Sequence, residues 1–200
     1  AIIQAIEKKF NVAVLDDGYQ DLSIKKNLSI ICFHGRQKLG NGHLIPAGPL
    51  RESLDGLKNC QIILINGNKD LEFEQKLKRY NSKLIFFYYN YYSKNIENFK
   101  NKKLIAFAGI GNPQNFFDFL KENYLNIVQE IQYPDHYEYK EKDLESLSKL
   151  ENKYKAKLIT TEKDYLRISP FLRKKFDYVK LELKFQDEEG FKSNLKKFII

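Results

Sequence analysis

Apolar and polar positions alternate along this chain in blocks, and the blocks define its elements. Ile2, Ile3, Ile6 and Phe10 fall on one helical face, so the chain is predicted to open on an amphipathic helix. Val12 to Leu15 is a short, wholly apolar run ending in two aspartates, the pattern of a buried parallel strand. Leu28–Phe33, Ile62–Ile65 and Leu84–Tyr89 repeat it, with a helix predicted over Leu71–Tyr80. A second series follows: LIAFAG as strand, a helix from Pro113, NIVQEI as strand, and a helix carrying Leu144, Leu147, Leu150 and Tyr154. KLITT is then a strand, a helical segment runs through the 160s and 170s, YVKLELKF reads as one strand, and a helix closes the chain. Strands alternating with helices predict an α/β fold with a mostly parallel sheet. Between the two series, SKNIENFKNKK is polar and unpatterned, which marks it as a linker.

Composition narrows the class. With 42% hydrophobic and 30% charged residues, the 200-residue chain belongs with folded globular proteins rather than disordered ones. It contains no Met, and its opening reads as the interior of something longer, so an internal or C-terminal fragment is expected. Cys32 and Cys60 sit in apolar runs without metal or disulfide spacing and are expected as buried thiols. The longest apolar run, Leu84 to Tyr92, is interrupted by Asn90 and falls far short of the ~20 residues of a membrane span. A formal charge of +8 points to an anionic partner. The lysines are scattered rather than gathered in a stripe, which speaks against nucleic acid.

Five segments carry candidate chemistry, each with a plainer reading beside it. VAVLDDGYQ places Asp16 and Asp17 at a strand's C-terminal end, where open α/β sheets bind ligands and where an Asp can hold Mg²⁺ beside phosphates. Alternatively, Asp17 and Gly18 merely make a bend. GNGHLIPAGPLRE, from Gly40 to Glu52, is a long loop ending in Arg51 and Glu52; the arginine suits bidentate phosphate contact, and an ordinary ion pair at a helix start is the rival. AFAGIGNP resembles an anion cradle but lacks the third glycine of a dinucleotide fingerprint, which favours close helix–strand packing. YPDHYEY holds His136 in a polar, aromatic loop, where it is structural, or acts as a proton carrier, or orients a carboxylate. TTEKDYLRI closes the strand KLITT with Glu162, Lys163 and Asp164, as catalytic groups or as caps.

Taken together and in order, DDGYQ, GNGHLIPAGPLRE, AFAGIGNPQNFF, PDHYEY and TTEKDYLRI resemble the lipid A 4′-kinase family. The resemblance implies a P-loop-kinase-like, mostly parallel sheet, incomplete here, plus a smaller second α/β domain. In those terms residues 1–93 are the C-terminal part of the kinase core, 94–103 a linker and 104–200 the second domain. It implies phosphoryl transfer from ATP to the 4′-hydroxyl of a tetraacylated disaccharide 1-phosphate, the lipid A precursor, at the cytoplasmic face of the bacterial inner membrane. Nucleic acid is not an expected partner, and a monomer is expected. Asp16 and Asp17 match the acidic pair that handles Mg²⁺ and ATP, with Gln20 beside them; Arg51 and Glu52 match the active-site pair of GPLRE. His136 matches a histidine paired with a catalytic carboxylate upstream of these residues. The family's Gly-Lys-Thr phosphate loop is also expected upstream, since no GxxxxGK[ST] occurs here, and the 200 residues alone are expected to be inactive. Asp21 stands where the family usually has His, and His34 where an Asp is common. The rival from another class is a non-enzymatic nucleotide- or RNA-binding α/β module, for which FFYYNYY offers rings to stack bases, although a strand would bury half of them.

Overall fold

The computed structural model describes residues 2–199, the side chain of residue 199 excepted, as two compact units. One comprises residues 1–90 and 183–200, the other 91–182. This partition departs from the expected boundaries at both ends. The expected linker contains a 3₁₀ turn, Ile96–Phe99, whose Ile96 and Phe99 are buried in the second unit's core. The last strand and helix, expected in the second domain, belong to the first unit.

In the first unit, helix α1 (Ile2–Glu7) precedes strands β1 (Ile30–His34), β2 (Ile62–Asn66) and β3 (Ile85–Tyr92), with helix α2 (Leu71–Lys78) between the last two. β1 pairs parallel with β2 from Ile30↔Ile62 to His34↔Asn66, and β2 with β3 from Ile62↔Ile85 to Asn66↔Tyr89. Asp70 caps α2 by accepting from the Phe73 amide at 2.9 Å, satisfying one of the donors a helix start leaves unpaired. Phe73 and Leu77 then bury against Ile63, Ile65, Leu84 and Tyr88.

The segment Val12–Leu15 is not a strand. Val14 is 90% exposed, and no other described strand pairs with this stretch. Apolar content alone does not make a strand; its amides and carbonyls need a neighbouring ladder. Cys32 is likewise exposed: on β1 the side chains alternate, so Ile31 and Phe33 face the core while Cys32 faces away. Cys60 is buried, and burial pushes its thiol up to about 11.

In the second unit, β4 (Lys103–Ala108), β5 (Asn126–Gln132), β6 (Lys157–Thr161) and β7 (Asp177–Val179) form a parallel sheet in the order β5-β4-β6-β7. Its helices are α3 (Pro113–Glu122), α4 (Glu141–Tyr154) and α5 (Glu162–Arg167). β4 is central and buried from Leu104 to Ala108, which is why LIAFA is apolar without alternation. Leu104, Ala106 and Ala108 pack with Phe116, Phe117 and Leu120 of α3; Ile105 and Phe107, on the other face, pack with Leu144 and Leu147 of α4.

YVKLELKF, expected as one strand, is two. β7 ends the second sheet, and β8 (Glu182–Phe185) joins the first beside β3. Helix α6 (Glu188–Ile199) then stacks Phe191 on Phe185 at 4.5 Å and sets it edge-on to Phe87 at 5.2 Å. The rings of FFYYNYY are therefore largely core: Phe87, Tyr88 and Tyr89 are buried, and the Tyr88 hydroxyl donates to Glu74 at 3.0 Å. That use removes the base-stacking role that would have supported an RNA-binding module.

Candidate active site

The first unit brings two of the five segments together. Asp17 sits in the left-handed region (φ 54°), which Asp tolerates better than most residues, and turns the chain at Asp17-Gly18. Two residues after Asp17, the Tyr19 hydroxyl donates to the Gly56 carbonyl at 2.6 Å and its ring packs against the core, which anchors the segment. Arg51, 34 positions further along, donates one Nη1 to both Asp17 oxygens at 2.6 Å. Gln20 Nε2 donates to Glu52 Oε1 at 3.2 Å. Glu52 in turn lies over Gly56, whose missing Cβ leaves the room: one built there would meet the Glu52 carboxyl carbon at 2.9 Å. Arg51 and Glu52 do not open an α-helix; Ser53 follows them and a 3₁₀ turn, Leu54–Asn59, begins after it.

The result is an exposed polar cluster of Asp16, Asp17, Gln20 and Arg51 with half-buried Glu52. The Arg51 guanidinium holds the Asp17 carboxyl below the usual carboxylate range, chiefly through the hydrogen bond and then through its charge, and Asp17 raises Arg51 in return. Asp16 is exposed beside it. Among the described residues no three His, Cys, Asp or Glu side chains converge as a metal-ligand set. Two adjacent carboxylates nevertheless match what Mg²⁺ takes from a protein when phosphates and waters complete its shell. Of the two departures from the family pattern, Asp21 closes its own turn by accepting from the Ser23 amide at 2.9 Å. His34 ends β1 opposite Asn66.

The second unit builds its site at the carboxyl edge of its sheet. β4 lies between β5 and β6, and all three run parallel, so Gly109, the loop after β5 and the start of α5 share that edge. The chain leaves β4 toward β5 on one side and leaves β6 toward β7 on the other. Such a switch in direction is where open α/β sheets leave a crevice for ligands. Thr161 caps α5, accepting from the Asp164 amide at 3.1 Å and donating to Asp164 Oδ2 at 2.7 Å. That oxygen also accepts from the Gly109 amide at 3.1 Å. Asp164 is fully buried, and Arg167 Nη1 lies 3.4 Å from its other oxygen. The same Nη1 donates to the Gly109 carbonyl at 2.7 Å, and Nη2 stands 3.2 Å from His136 Nδ1. His136, also left-handed (φ 58°), donates its amide to Gly109 O at 3.2 Å and to Asp135 Oδ1 at 2.8 Å.

Gly109 is glycine for space. A Cβ there would meet Pro134 O and Tyr137 Cβ at 3.1 Å and the Tyr139 hydroxyl at 3.2 Å. The packing reading of AFAGIGNP thus has a specific cause, the approach of the His136 loop to the end of β4. Burial, and then the nearby Asp164 carboxylate, push the Tyr139 phenol well above its ordinary pKa.

Sequence reasoning singled out His136 and left Asp164 between cap and catalytic group; it passed over Arg167. The signal was present in TTEKDYLR: a capping Thr, an Asp at the third helical position, and an Arg three residues after that.

A family model described as Tetraacyldisaccharide-1-P 4′-kinase matches residues 1–200. The tetraacyldisaccharide 4′-kinase of Pelagibacter ubique is 39% identical over 200 residues, covering 98% of this chain and 64% of that protein. The enzyme of that name from Rickettsia bellii is 41% identical over 163 residues, covering 81% of this chain and 50% of its own. A crystal structure of LpxK from Aquifex aeolicus in complex with ATP superimposes with a TM-score of 0.66 at 21% identity, over 99% of this chain and 61% of that one. That likeness extends to the fold, a P-loop-kinase-like α/β architecture. The chain thus spans between half and about two-thirds of the length of these relatives.

Proposed function

The chain belongs to the tetraacyldisaccharide-1-P 4′-kinase family, and from that premise we propose that the full-length protein transfers the γ-phosphate of ATP to the 4′-hydroxyl of a tetraacyldisaccharide 1-phosphate. The observation that carries this reading is the family match over all of residues 1–200.

Phosphoryl transfer needs positioning and charge stabilisation more than covalent help. Asp16 and Asp17 would hold Mg²⁺, which when bound neutralises phosphate charge. Arg51, fixed on Asp17 in this structure, is placed to exchange that carboxylate for a phosphate oxygen, which its planar donors fit equally well. Gln20 holds Glu52 in place beneath it. His136 supports a carboxylate that receives the sugar hydroxyl's proton; that carboxylate and the phosphate-binding loop are supplied by sequence outside these 200 residues. The substrate carries a phosphate and sits in an anionic bilayer, which agrees with the net charge of +8. No helix among the described residues is long and apolar enough to cross a membrane. Action at the cytoplasmic face of the inner membrane is what the family likeness supports.

The test is transfer itself. The full-length protein, given γ-labelled Mg-ATP and tetraacyldisaccharide 1-phosphate in mixed micelles, should place label on the 4′ position, resolved from the 1-phosphate by phosphorus NMR. Arg51→Ala and Asp17→Ala should each reduce transfer. No label on the lipid with the wild-type protein would overturn the reading.

A further inference from the structure

The geometry points to Arg167 as the positioning residue of His136: it fixes the imidazole as the tautomer that carries its proton on Nε2, so that His136 meets its partner as a hydrogen-bond donor. The inference rests on the kinase reading for its consequence in catalysis, although its structural half stands without it.

A guanidinium has only donors, so the 3.2 Å contact between Arg167 Nη2 and His136 Nδ1 can be a hydrogen bond in one sense alone, with Nδ1 as acceptor. A ring whose Nδ1 accepts carries its proton on Nε2 in the neutral form. The Nδ1 lone pair is engaged. On the far side of the ring, Nε2 lies 3.9 Å from Asp135 Oδ2, beyond hydrogen-bond length, and the side chain is 81% exposed. The outward face of His136 is therefore an N–H. It suits a carboxylate or phosphate oxygen and does not suit removal of a proton from a substrate.

The arrangement is built to keep that sense. Arg167 does not reach His136 as a loose surface side chain; its Nη1 is held by the Gly109 carbonyl at 2.7 Å. The same carbonyl accepts the His136 amide, so one oxygen fixes both the backbone of the histidine and the group that reads its ring. Behind Arg167 stands Asp164, fully buried, tied by Oδ2 to the Thr161 hydroxyl and the Gly109 amide. Thr161 is the last residue of β6 and Gly109 the first after β4, the two strands flanking the change of direction. The chain of contacts thus runs from the sheet through Asp164 and Arg167 to the imidazole. This assigns the TTEKDYLR segment a purpose beyond capping α5.

Two arms test the proposal. In the first, the 200-residue chain labelled with ¹⁵N-histidine is examined by two-bond ¹H–¹⁵N correlation at a pH where His136 is neutral. His136 should show an acceptor-type Nδ1 and a protonated Nε2 in a single tautomer. Arg167→Gln should release it into exchange between both tautomers, with amide signals away from the His136 loop unmoved. Should that variant fold poorly, Arg167→Lys keeps the charge but cannot bridge Gly109 O and Nδ1 together, and the same release is expected. A protonated Nδ1 in the wild type, or tautomers indifferent to Arg167, would overturn the inference while leaving the kinase reading intact.

In the second arm the full-length enzyme is assayed. Arg167→Gln should lower kcat about tenfold or more, but less than His136→Ala, whose loss belongs with the ~10²–10⁴ of general acid–base assistance, with KM for both substrates little changed. Added to His136→Ala, it should cost nothing further, because it acts through the imidazole. A fully additive loss would refute positioning. Absence of transfer by the wild type would instead defeat the kinase reading, and the spectra would decide on Arg167 alone.

Discussion

Replacing Asp164 by Asn tests whether the buried carboxylate holds the second unit's site together. The change preserves shape and volume. An amide oxygen in the Oδ2 position still accepts from Gly109 and Thr161, so those two bonds survive. What is lost is the interaction on the other side, where an NH₂ now faces the Arg167 guanidinium, 3.4 Å away in the wild type. Two donors point at one another and the ion pair is gone. Breaking a buried pair from one side costs about 3–5 kcal/mol. Here Arg167 is 24% exposed and its contact is long, so a cost at or somewhat below the bottom of that range, roughly 2–3 kcal/mol, is the appropriate expectation. For a chain of this size that corresponds to a Tm lower by roughly 4–12 °C. Thermal unfolding followed by circular dichroism measures it, with Glu189→Gln, whose side chain is 90% exposed, as the control expected to change little. An Asp164→Asn Tm equal to the control's would refute the reasoning: the carboxylate would then contribute no net stability to the second unit.

Gly109→Ala should destabilise the second unit by about 1–3 kcal/mol, because the added methyl presses on the Pro134 carbonyl and on Tyr137, neither of which is the free end of a flexible chain; urea denaturation checks it, and a neutral or stabilising result would mean the loop yields. Alkali should unfold the chain through its buried and half-buried phenols. Burial pushes Tyr19, Tyr88 and Tyr133 up from 10.0 to about 12. The folded state therefore keeps protons that the unfolded state releases, and stability is full below pH 10 and falls as the pH rises toward about 12. Tyrosinate absorbance and circular dichroism should change together in that window; a smooth titration of all tyrosines near 10 with the fold intact would contradict this. Arg51→Ala should leave Tm nearly unchanged, since its pair with Asp17 is more than half exposed on both sides and solvent screens such pairs; a large drop would make the pair structural.

The sequence was most legible where burial on both faces left no ambiguity. LIAFA announces β4 because every position faces a core, and Pro113 after Asn112 announces α3. It was least legible where an apolar run lacked a neighbour. Val12–Leu15 has a strand's composition, yet hydrogen bonding to a ladder is a property of what lies alongside, which no local pattern contains. YVKLELKF failed for a related reason. Its β-propensity is continuous, but the two halves join different sheets, and the polar-looking 94–103 stretch hides Ile96 and Phe99 in a core. The site shows the same division. The aspartates, Arg51 and His136 were visible as residue types in suggestive places. That Arg51 would close on Asp17, and that Arg167 would reach back to His136 across 31 positions, depends on tertiary return of the chain.

The most direct test of the account is the steady-state kinetics of His136→Ala in the full-length protein, with ATP and tetraacyldisaccharide 1-phosphate varied independently. kcat should fall by ~10²–10⁴ with KM values for both substrates close to wild type, because His136 serves the proton-accepting group rather than binding. An unchanged kcat, or a loss confined to KM for one substrate, would contradict it.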